Sequence, residues 1–142
     1  MADGRPMVEA VAVEGVFGAP QRVDAYSITS RAQDDLATQL HDIAAANGSK
    51  IASLCPDRVI VRRADRASIP SQREGPKTRL MAEGALAADA RERVSDVRLL
   101  SGRDVGRASP PATKEALEAH AESTLPGCHV AAAAAAVGGL AL

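Results

Sequence analysis

The sequence predicts an α/β fold with a mixed sheet, because strand-like and helix-like segments alternate along its 142 residues. The chain opens with two strand-like segments close enough to form an antiparallel hairpin. Each later strand-like segment is short, apolar and followed by a helical one. Neither an internal repeat nor a shift in composition divides the chain. We therefore predict a single domain over residues 1–142, with helices on the faces of its sheet.

The first two strands are predicted to be joined by a tight turn. Residues 8–16 alternate loosely between apolar and polar side chains, and residues 22–29 return as a second strand. Gly18 and Pro20 mark a turn over residues 18–21 between them.

One long helix is predicted to follow the hairpin. Ser30, or the threonine before it, is placed to cap the helix, and apolar residues recur at helical spacing from Leu36 to Leu54. Asn47 and Gly48 interrupt that spacing, so two helices with a break at this point are the alternative.

Two buried strands and three further helices are predicted in the rest of the chain. Residues 59–61 and 97–100 are short apolar runs, a pattern typical of strands that are covered on both faces. Ser101 begins a turn or short helix, and the further helices cover residues 80–93, 113–125 and 128–137. The helix at 80–93 is expected to pack through Leu80, Gly84, Ala87 and Ala88, with Met81 and Ala85 beside them.

The composition favours a chain that associates with a copy of itself. Aromatic residues make up only 1% of the chain, so the core consists of alanine, valine, leucine and isoleucine. These residues give little bulk, and subunit association stabilises such a fold. We predict a homo-oligomer, in its simplest form a dimer. The net charge of −1 excludes a polycation that binds nucleic acid through overall charge.

A cytoplasmic location without a membrane segment is predicted. Residues 1–7 are polar and lead into no apolar signal-peptide core, and the alanine-rich end is too short to span a bilayer. Cys55 and Cys128 form no disulfide framework, which fits a reducing compartment. Zinc-ligand spacings and the phosphate-binding loop motif are absent from the sequence, so no cofactor is predicted from local motifs.

Five segments follow one another in an order that identifies a family. A proline-aspartate pair at 56–57 enters the strand at 59–61, and a helix of small residues lies at 84–88. The strand and turn at 97–105, the helix start at 113–117 and the terminal helix opened by His129 complete the order. Together these segments resemble the RuvC-type Holliday junction resolvases of the RNase H-like superfamily. The resemblance implies an RNase H-like fold over nearly the whole chain.

The resemblance can be registered in two ways at the N-terminus. If residues 11–15 match the family's first strand, Glu14 stands for its first catalytic aspartate. The better match places the two hairpin strands on the family's second and third strands, because Asp34 and Asp35 then fall where its first helix begins. In that register the first strand is missing. We then expect a sheet with an unpaired edge or gap, which a strand from a partner can fill.

The positions that correspond to the family's metal ligands are not acidic in this chain. The resemblance implies two divalent metals held by carboxylates on the first strand, the fourth strand and the last helix, where they activate water. The fourth-strand position is Arg62 or Arg63, and the last-helix position is Ala132, although His129 one turn earlier is retained. Arginine repels Mg²⁺ at close range. We therefore predict a degenerate nuclease with no catalytic residue and no metal ligand.

Basic residues gather around the loop that follows the strand at 59–61. In a RuvC-like fold this segment borders the nucleic-acid cleft, where guanidinium groups contact phosphate oxygens. A solvated basic loop is the alternative. The scarcity of aromatic residues disfavours binding of single strands by stacking. The candidate residues for binding DNA or RNA are Arg62, Arg63, Arg66, Arg73, Lys77 and Arg79.

Histidine and cysteine are predicted to have structural roles. His129 is expected to be a partly buried residue at the start of the last helix, and His41 and His120 are expected at the surface. The two cysteines lie near helix ends and are expected to act as small apolar fillers.

The sequence therefore predicts a catalytically inactive RuvC-like protein that acts as a nucleic-acid-binding or assembly component. Two alternatives stay open. In the first, Glu14, Asp24 and Asp65 supply displaced carboxylates for a Mg²⁺-dependent, structure-selective DNA endonuclease, and magnesium is required only in that case. In the second, the chain is an unrelated α/β protein-interaction module that shares only the order of elements.

Overall fold

Four strands and five helices alternate in the part of the chain that the structure, a computed structural model, describes, which is residues 4–65 and 74–142. This alternation confirms the predicted α/β architecture. Among these residues, no helix is both long enough and apolar enough to cross a membrane. The elements are β1 (Met7–Val16), β2 (Ala19–Thr29), α1 (Leu36–Leu54), β3 (Arg58–Arg63), α2 (Glu74–Arg93), β4 (Asp96–Ser101), α3 (Gly102–Ala108), α4 (Lys114–Thr124) and α5 (Val130–Gly139).

The described strands form two two-stranded sheets and not one continuous sheet. β1 pairs with β2, and β3 pairs with β4. The hairpin turn consists of Phe17 and Gly18, so the predicted turn at 18–21 is wrong at three residues, which belong to β2. Val59 and Ile60 are half-buried, although full burial was expected. The predicted absence of the family's first strand stays a prediction.

The single long helix is confirmed, but its cap is not the predicted one. Asp35 caps α1 by accepting a hydrogen bond from the Thr38 amide at 2.9 Å. Ser30 is buried instead, and its hydroxyl donates to the carbonyl of Pro6 at 2.8 Å. The helix continues through Gly48 without a break. This glycine lies against α2, and an added Cβ there would be 2.0 Å from the Asp89 carboxylate.

The chain divides into two compact units, each with its own packing. The first unit contains α1 and α2, which pack against each other around Ile51, Ala90 and Val94. The second unit contains α3, α4 and α5, which pack around the fully buried Val105 and Leu117. The strands contribute residues to both units. The single domain over residues 1–142 stays a prediction.

The buried face of α2 differs from the predicted one. Leu80 is 63% exposed and Met81 is 43% exposed, while Gly84 and Ala88 also face outward. At Gly48, α1 faces the ends of the Asp89 and Arg93 side chains of α2, so polar groups occupy that contact. The predicted packing stripe is wrong except for Ala87. The residues that α2 buries are Thr78, Ala82, Glu83, Ala87 and Ala90.

Glycine permits the close packing of the second unit. A Cβ added at Gly106 in α3 would lie 2.4 Å from the amide nitrogen of Lys114 in α4. A Cβ added at Gly138 in α5 would lie 2.3 Å from a methyl group of Val105. Real Cβ atoms do not approach other atoms this closely, so the two glycines let these helices lie nearly in backbone contact.

We predict that Gly106→Ala lowers the free energy of unfolding by about 1–3 kcal/mol, because the new methyl group clashes with backbone atoms that cannot rotate away. The matched control is Gly84→Ala in α2, where an added Cβ meets no atom within 4 Å. This control is expected to stabilise the helix by about 0.5–1 kcal/mol. Urea unfolding of both variants measures the difference, and equal stability of the two would contradict this account of the packing.

Candidate functional site

β3 sends two neighbouring arginines to opposite faces. Side chains alternate along a strand, so Arg62 points into the second unit while Arg63 points to solvent. The Arg62 side chain is only 17% exposed, compared with 44% for that of Arg63. These are the residues expected at the degenerate fourth-strand position, and the structure gives them different environments.

Arg62 lies between two carboxylates. Its Nη2 is 3.3 Å from the Oε1 of Glu118 in α4 and 3.9 Å from the Oδ2 of Asp65. Asp65 in turn accepts a hydrogen bond from the Lys114 ammonium at 2.5 Å and one from the Arg103 amide at 3.2 Å. Arg62, Asp65, Lys114 and Glu118 thus form a group of two cations and two anions, which we call the charge quartet.

Little empty space remains around the charge quartet. The Arg62 guanidinium covers Gly102 so closely that an added Cβ there would lie 2.2 Å from its Nη2. The cavity that remains has a volume of about 10 Å³, which is about the space of one water molecule. Ala134 and Ala135 of α5 line the same cavity. This cavity is therefore lined by the Arg62 side chain on one element and by alanine methyl groups on another.

Asp65 is held in its ionised form. The hydrogen bond from Lys114 lowers the pKa of the Asp65 carboxyl most, and the Arg103 amide and the Arg62 charge lower it further. Its negative charge is consequently matched by protein cations. In the described residues, no three His, Cys, Asp or Glu side chains are grouped so that they could hold a metal ion. The displaced acid set of Glu14, Asp24 and Asp65 is not such a group.

His129 acts as the cap of α5. Its Nδ1 lies 3.4 Å from the Ala132 amide, so the imidazole accepts the hydrogen bond of an otherwise unpaired helix N–H. The side chain is exposed, so the predicted partial burial is wrong, while the role at the helix start is structural as expected. Ala132, the residue predicted at the last-helix position, provides the backbone amide for this cap.

A cluster of exposed arginines lies beside the charge quartet. Ser101 and Asp104 form a capping box at the start of α3, and Arg63 Nη2 lies 4.0 Å from Asp104 Oδ2. The pKa of Asp104 is lowered mainly by hydrogen bonds from Ser101, with smaller contributions from the charges of Arg63 and Arg107. Arg103 and Arg107 are exposed. We call Arg63, Arg103 and Arg107 the α3 basic cluster.

Sequence reasoning missed two members of the α3 basic cluster. Arg103 and Arg107 are four residues apart, a spacing that places both on one side of a helix. This spacing is a signal in the sequence, but the basic segment that follows β3 is longer and more densely charged. Without the fold, nothing indicates that α3 starts beside the end of β3.

The other predicted nucleic-acid residues have local partners or lie outside the described part. Lys77 and Arg79 are in α2, within the first unit, and each pairs with a carboxylate of its own helix. The distances are 3.3 Å from Lys77 to Glu74 and 2.8 Å from Arg79 to Glu83. Arg66 and Arg73 lie outside the described residues.

His120 has a contact that the sequence did not predict. Its ring stacks on Phe17 with the centroids 4.6 Å apart, and its Nε2 lies 2.8 Å from the Phe17 carbonyl oxygen. The expected surface position is wrong, because the side chain is half-buried against the hairpin turn. The one phenylalanine of the chain thereby attaches this turn to α4.

We predict that the contribution of Asp65 to stability depends on pH. Its pKa is lower in the folded protein than in the unfolded chain, where it is about 4. The stabilisation is therefore complete well above pH 4 and is lost as the pH falls through the folded pKa. Asp65→Asn is expected to destabilise the protein at pH 7, with a deficit that shrinks as the pH falls below about 4.

Urea unfolding between pH 7 and pH 2.5 tests this expectation. Lys114→Met serves as the matched variant, because it removes the partner and leaves Asp65 in place. The double variant is expected to be only slightly less stable than either single variant, since the two residues share one interaction. Strict additivity, or a deficit in Asp65→Asn that does not change with pH, would show that the pair is not coupled.

No protein-family model and no curated protein matches this chain. Solved structures, in contrast, do match it. The structure of RuvC from Thermus thermophilus matches with a TM-score of 0.69 at 17% identity, over 93% of this chain and 84% of that chain.

A second structure, T. thermophilus RuvC in complex with a Holliday junction substrate, matches with a TM-score of 0.68 at 17% identity. It covers 93% of this chain and 90% of that chain. At this level of identity the likeness concerns the backbone fold. This chain therefore has an RNase H-like α/β fold similar to that of RuvC.

Proposed function

We propose that this chain is a catalytically inactive RuvC-like protein that acts as a nucleic-acid-binding or assembly component. The observation that carries the proposal is the Arg62 guanidinium, which lies between the carboxylates of Asp65 and Glu118. Under this proposal, the Arg62 guanidinium occupies the place where a nuclease of this fold needs a divalent metal ion.

Electrostatics supports this proposal. A divalent cation about 4 Å from the Arg62 guanidinium would be repelled by on the order of 8 kcal/mol at an effective dielectric constant of about 20. Lys114 adds further repulsion beside Asp65. A metal ion would have to displace two protein cations that already neutralise both carboxylates.

The last helix gives no acidic residue in compensation. α5 consists of alanine, valine and glycine, and it is capped by His129, whose Nδ1 accepts a hydrogen bond from the Ala132 amide. Metal-dependent phosphodiester hydrolysis needs carboxylates that hold cations on both sides of the reacting phosphate. Under this proposal the chain requires no cofactor.

The nucleic-acid part of the proposal rests on the α3 basic cluster. The T. thermophilus RuvC structure contains a Holliday junction substrate, so this fold accommodates branched DNA in that protein. Here, Arg63, Arg103 and Arg107 are exposed cations within one unit. Guanidinium groups bind phosphate oxygens through paired hydrogen bonds, which give affinity without base specificity. We infer that Arg63, and not the enclosed Arg62, contacts phosphate.

The assembly part of the proposal is a homo-oligomer, in its simplest form a dimer. None of the largest fully buried side chains in the described part is aromatic; they are Ile43, Leu117, Val105, Val137 and Pro6. Additional apolar surface buried between subunits stabilises such a chain.

We predict that the protein does not cleave DNA. Incubation with four-way-junction and linear DNA in Mg²⁺ or Mn²⁺ is expected to leave both substrates intact on a denaturing gel, because the carboxylates near β3 are neutralised by protein cations. A T. thermophilus RuvC reaction under the same conditions shows that the assay works. Cleavage that disappears in Asp65→Asn or Asp24→Asn would overturn the proposal in favour of the displaced-carboxylate endonuclease.

We further predict that Arg63 and Arg62 behave differently in DNA binding. Arg63→Ala and Arg107→Ala are each expected to weaken binding and to reduce the slope of log K against log salt by about one. Arg62→Ala is expected to leave the slope unchanged and to lower stability instead, because it leaves Glu118 without its partner.

Fluorescence anisotropy with labelled duplex and junction DNA at several salt concentrations measures these slopes. Arg22→Ala, on the exposed part of β2, is the matched control for a lost surface arginine. If Arg22→Ala changes the slope as much as Arg63→Ala does, the α3 basic cluster is not the binding surface.

A further inference from the structure

The second strand of the hairpin, β2, has an edge that pairs with no other strand of the described residues. β2 pairs with β1 on one side and with no strand on the other. Its 11 residues make it about twice as long as a typical strand. Long edges are normally protected by proline, lysine or a bulge, yet neither proline nor lysine occurs between Gln21 and Thr29. β2 therefore offers a long backbone edge for pairing.

The backbone groups on this edge belong to every second residue of β2. The amide of Ala25 donates to the carboxylate of Asp24 at 2.8 Å in an exposed position, so this N–H is turned away from β1. Backbone direction alternates along an antiparallel strand, so the N–H and C=O groups of Gln21, Val23 and Ala25 lie on the outer edge. A further strand can pair there without disturbing the pairing with β1.

Opposite charges lie on either side of Val23. Arg22 and Asp24 are two positions apart, so both side chains point to the same face of the sheet. Val23 points to the other face and is 50% exposed. The order along the edge is positive, apolar, negative. In the opposite direction it is negative, apolar, positive, so the edge is complementary to an antiparallel copy of itself.

We propose that β2 binds the β2 of a second copy of this chain, edge to edge and antiparallel, with a twofold axis at Val23. Each Arg22 then lies directly opposite Asp24 of the partner subunit, and each Val23 lies opposite Val23 of the partner subunit. The two hairpins join into one four-stranded sheet. This contact rests on the homo-oligomer of the proposed function and deepens it by naming its surface, and it does not depend on catalytic inactivity.

The charges select this register over its neighbours. Because every second residue has its backbone groups on the edge, the two strands can slide past each other only in steps of two residues. One such step places Arg22 opposite Arg22 of the partner subunit, and a step in the other direction places Asp24 opposite Asp24 of the partner subunit. Like charges directly opposite each other destabilise a strand pair, whereas opposite charges stabilise it.

A second copy is the occupant because this edge matches itself in both shape and charge. An unrelated strand would have complementary charges at this spacing only by coincidence. A twofold contact uses the same surface on both subunits, as this edge allows. The pairing engages the β2 edge of each copy once, so association ends at a dimer.

Pairing exchanges one set of hydrogen bonds for another. In the single chain the Asp24 carboxylate accepts the Ala25 amide. In the dimer the Ala25 amide donates to the carbonyl of the partner's Gln21, and the Asp24 carboxylate turns to the partner's Arg22. Asp24 thus protects the edge of the single chain and stabilises the dimer.

Analytical ultracentrifugation of the full chain at several concentrations measures the association. The wild-type chain is expected to be dimeric at high micromolar concentration and to dissociate on dilution, because a strand-edge contact is smaller than a standard interface. Val23→Pro removes the central outward N–H and is expected to raise the dimer dissociation constant at least about tenfold. The matched control is Val23→Thr, which keeps this N–H and a β-branched side chain and is expected to change the constant by less than about twofold.

Charge reversal tests the register. Arg22→Asp and Asp24→Arg are each expected to weaken the dimer about tenfold, because each places two pairs of like charges opposite one another. An equimolar mixture of these two variants is expected to form a heterodimer as strong as the wild-type dimer, since each position 22 then faces an opposite charge at position 24. DNA titrations at concentrations below the dimer dissociation constant leave Arg22→Ala valid as a control for surface charge.

Each outcome decides the question. A dimer that Val23→Pro leaves intact overturns the edge contact, while the proposed homo-oligomer stands. A chain that is monomeric at high micromolar concentration overturns both. Charge variants with wild-type affinity, or a mixture that stays monomeric, overturn the register centred on Val23. Circular dichroism checks the fold of every variant, and if Val23→Pro is misfolded, the mixture decides the contact by itself. None of these results changes the expectation for the nuclease assay.

Discussion

The arrangement of the charged residues around β3 depends on one guanidinium group, which lies between two carboxylates. Arg62 reaches Glu118 and Asp65 because β3 directs its side chain inward and Gly102 leaves room for it. Lys114 completes the neutralisation of Asp65. Ala134 and Ala135 of α5 line the small cavity beside the arginine, where a metal site would need open space and unpaired oxygen ligands. Both carboxylates of the charge quartet are thus paired with protein cations.

Arg62 and Arg63, which are neighbours on β3, consequently have different environments. Arg62 is enclosed and contributes to the interior of its unit, while Arg63 emerges beside α3 and joins Arg103 and Arg107 at the surface. The alternation of side chains in a strand is sufficient to produce this division. Substitution of Arg62 is therefore expected to affect stability, whereas substitution of Arg63 is expected to affect the surface charge.

Small residues shape both units. Gly106 lets α3 approach the backbone at the start of α4 so closely that a methyl group would clash, and Gly48 of α1 leaves room for the Asp89 and Arg93 side chains of α2. With almost no aromatic bulk available, such close contacts contribute to dense packing. The apolar residues that α2 buries are the alanines Ala82, Ala87 and Ala90, while Leu80 and Met81 are exposed.

Local patterns are sufficient to predict the order of the elements, since periodicity and caps depend on neighbouring residues. They predicted the hairpin, one long helix at α1 with a break at Gly48 as the alternative, a turn or short helix after Ser101 and a helix start at Thr113. They also place Arg62 or Arg63 and Ala132 where the resemblance implies metal ligands. Which face of α2 is buried and how the strands pair depend on tertiary contacts. The same is true of the contact between Arg62 and Glu118, which lies 56 positions further along the chain. Such contacts depend on backbone approach and on charges distant in sequence, which no local pattern contains.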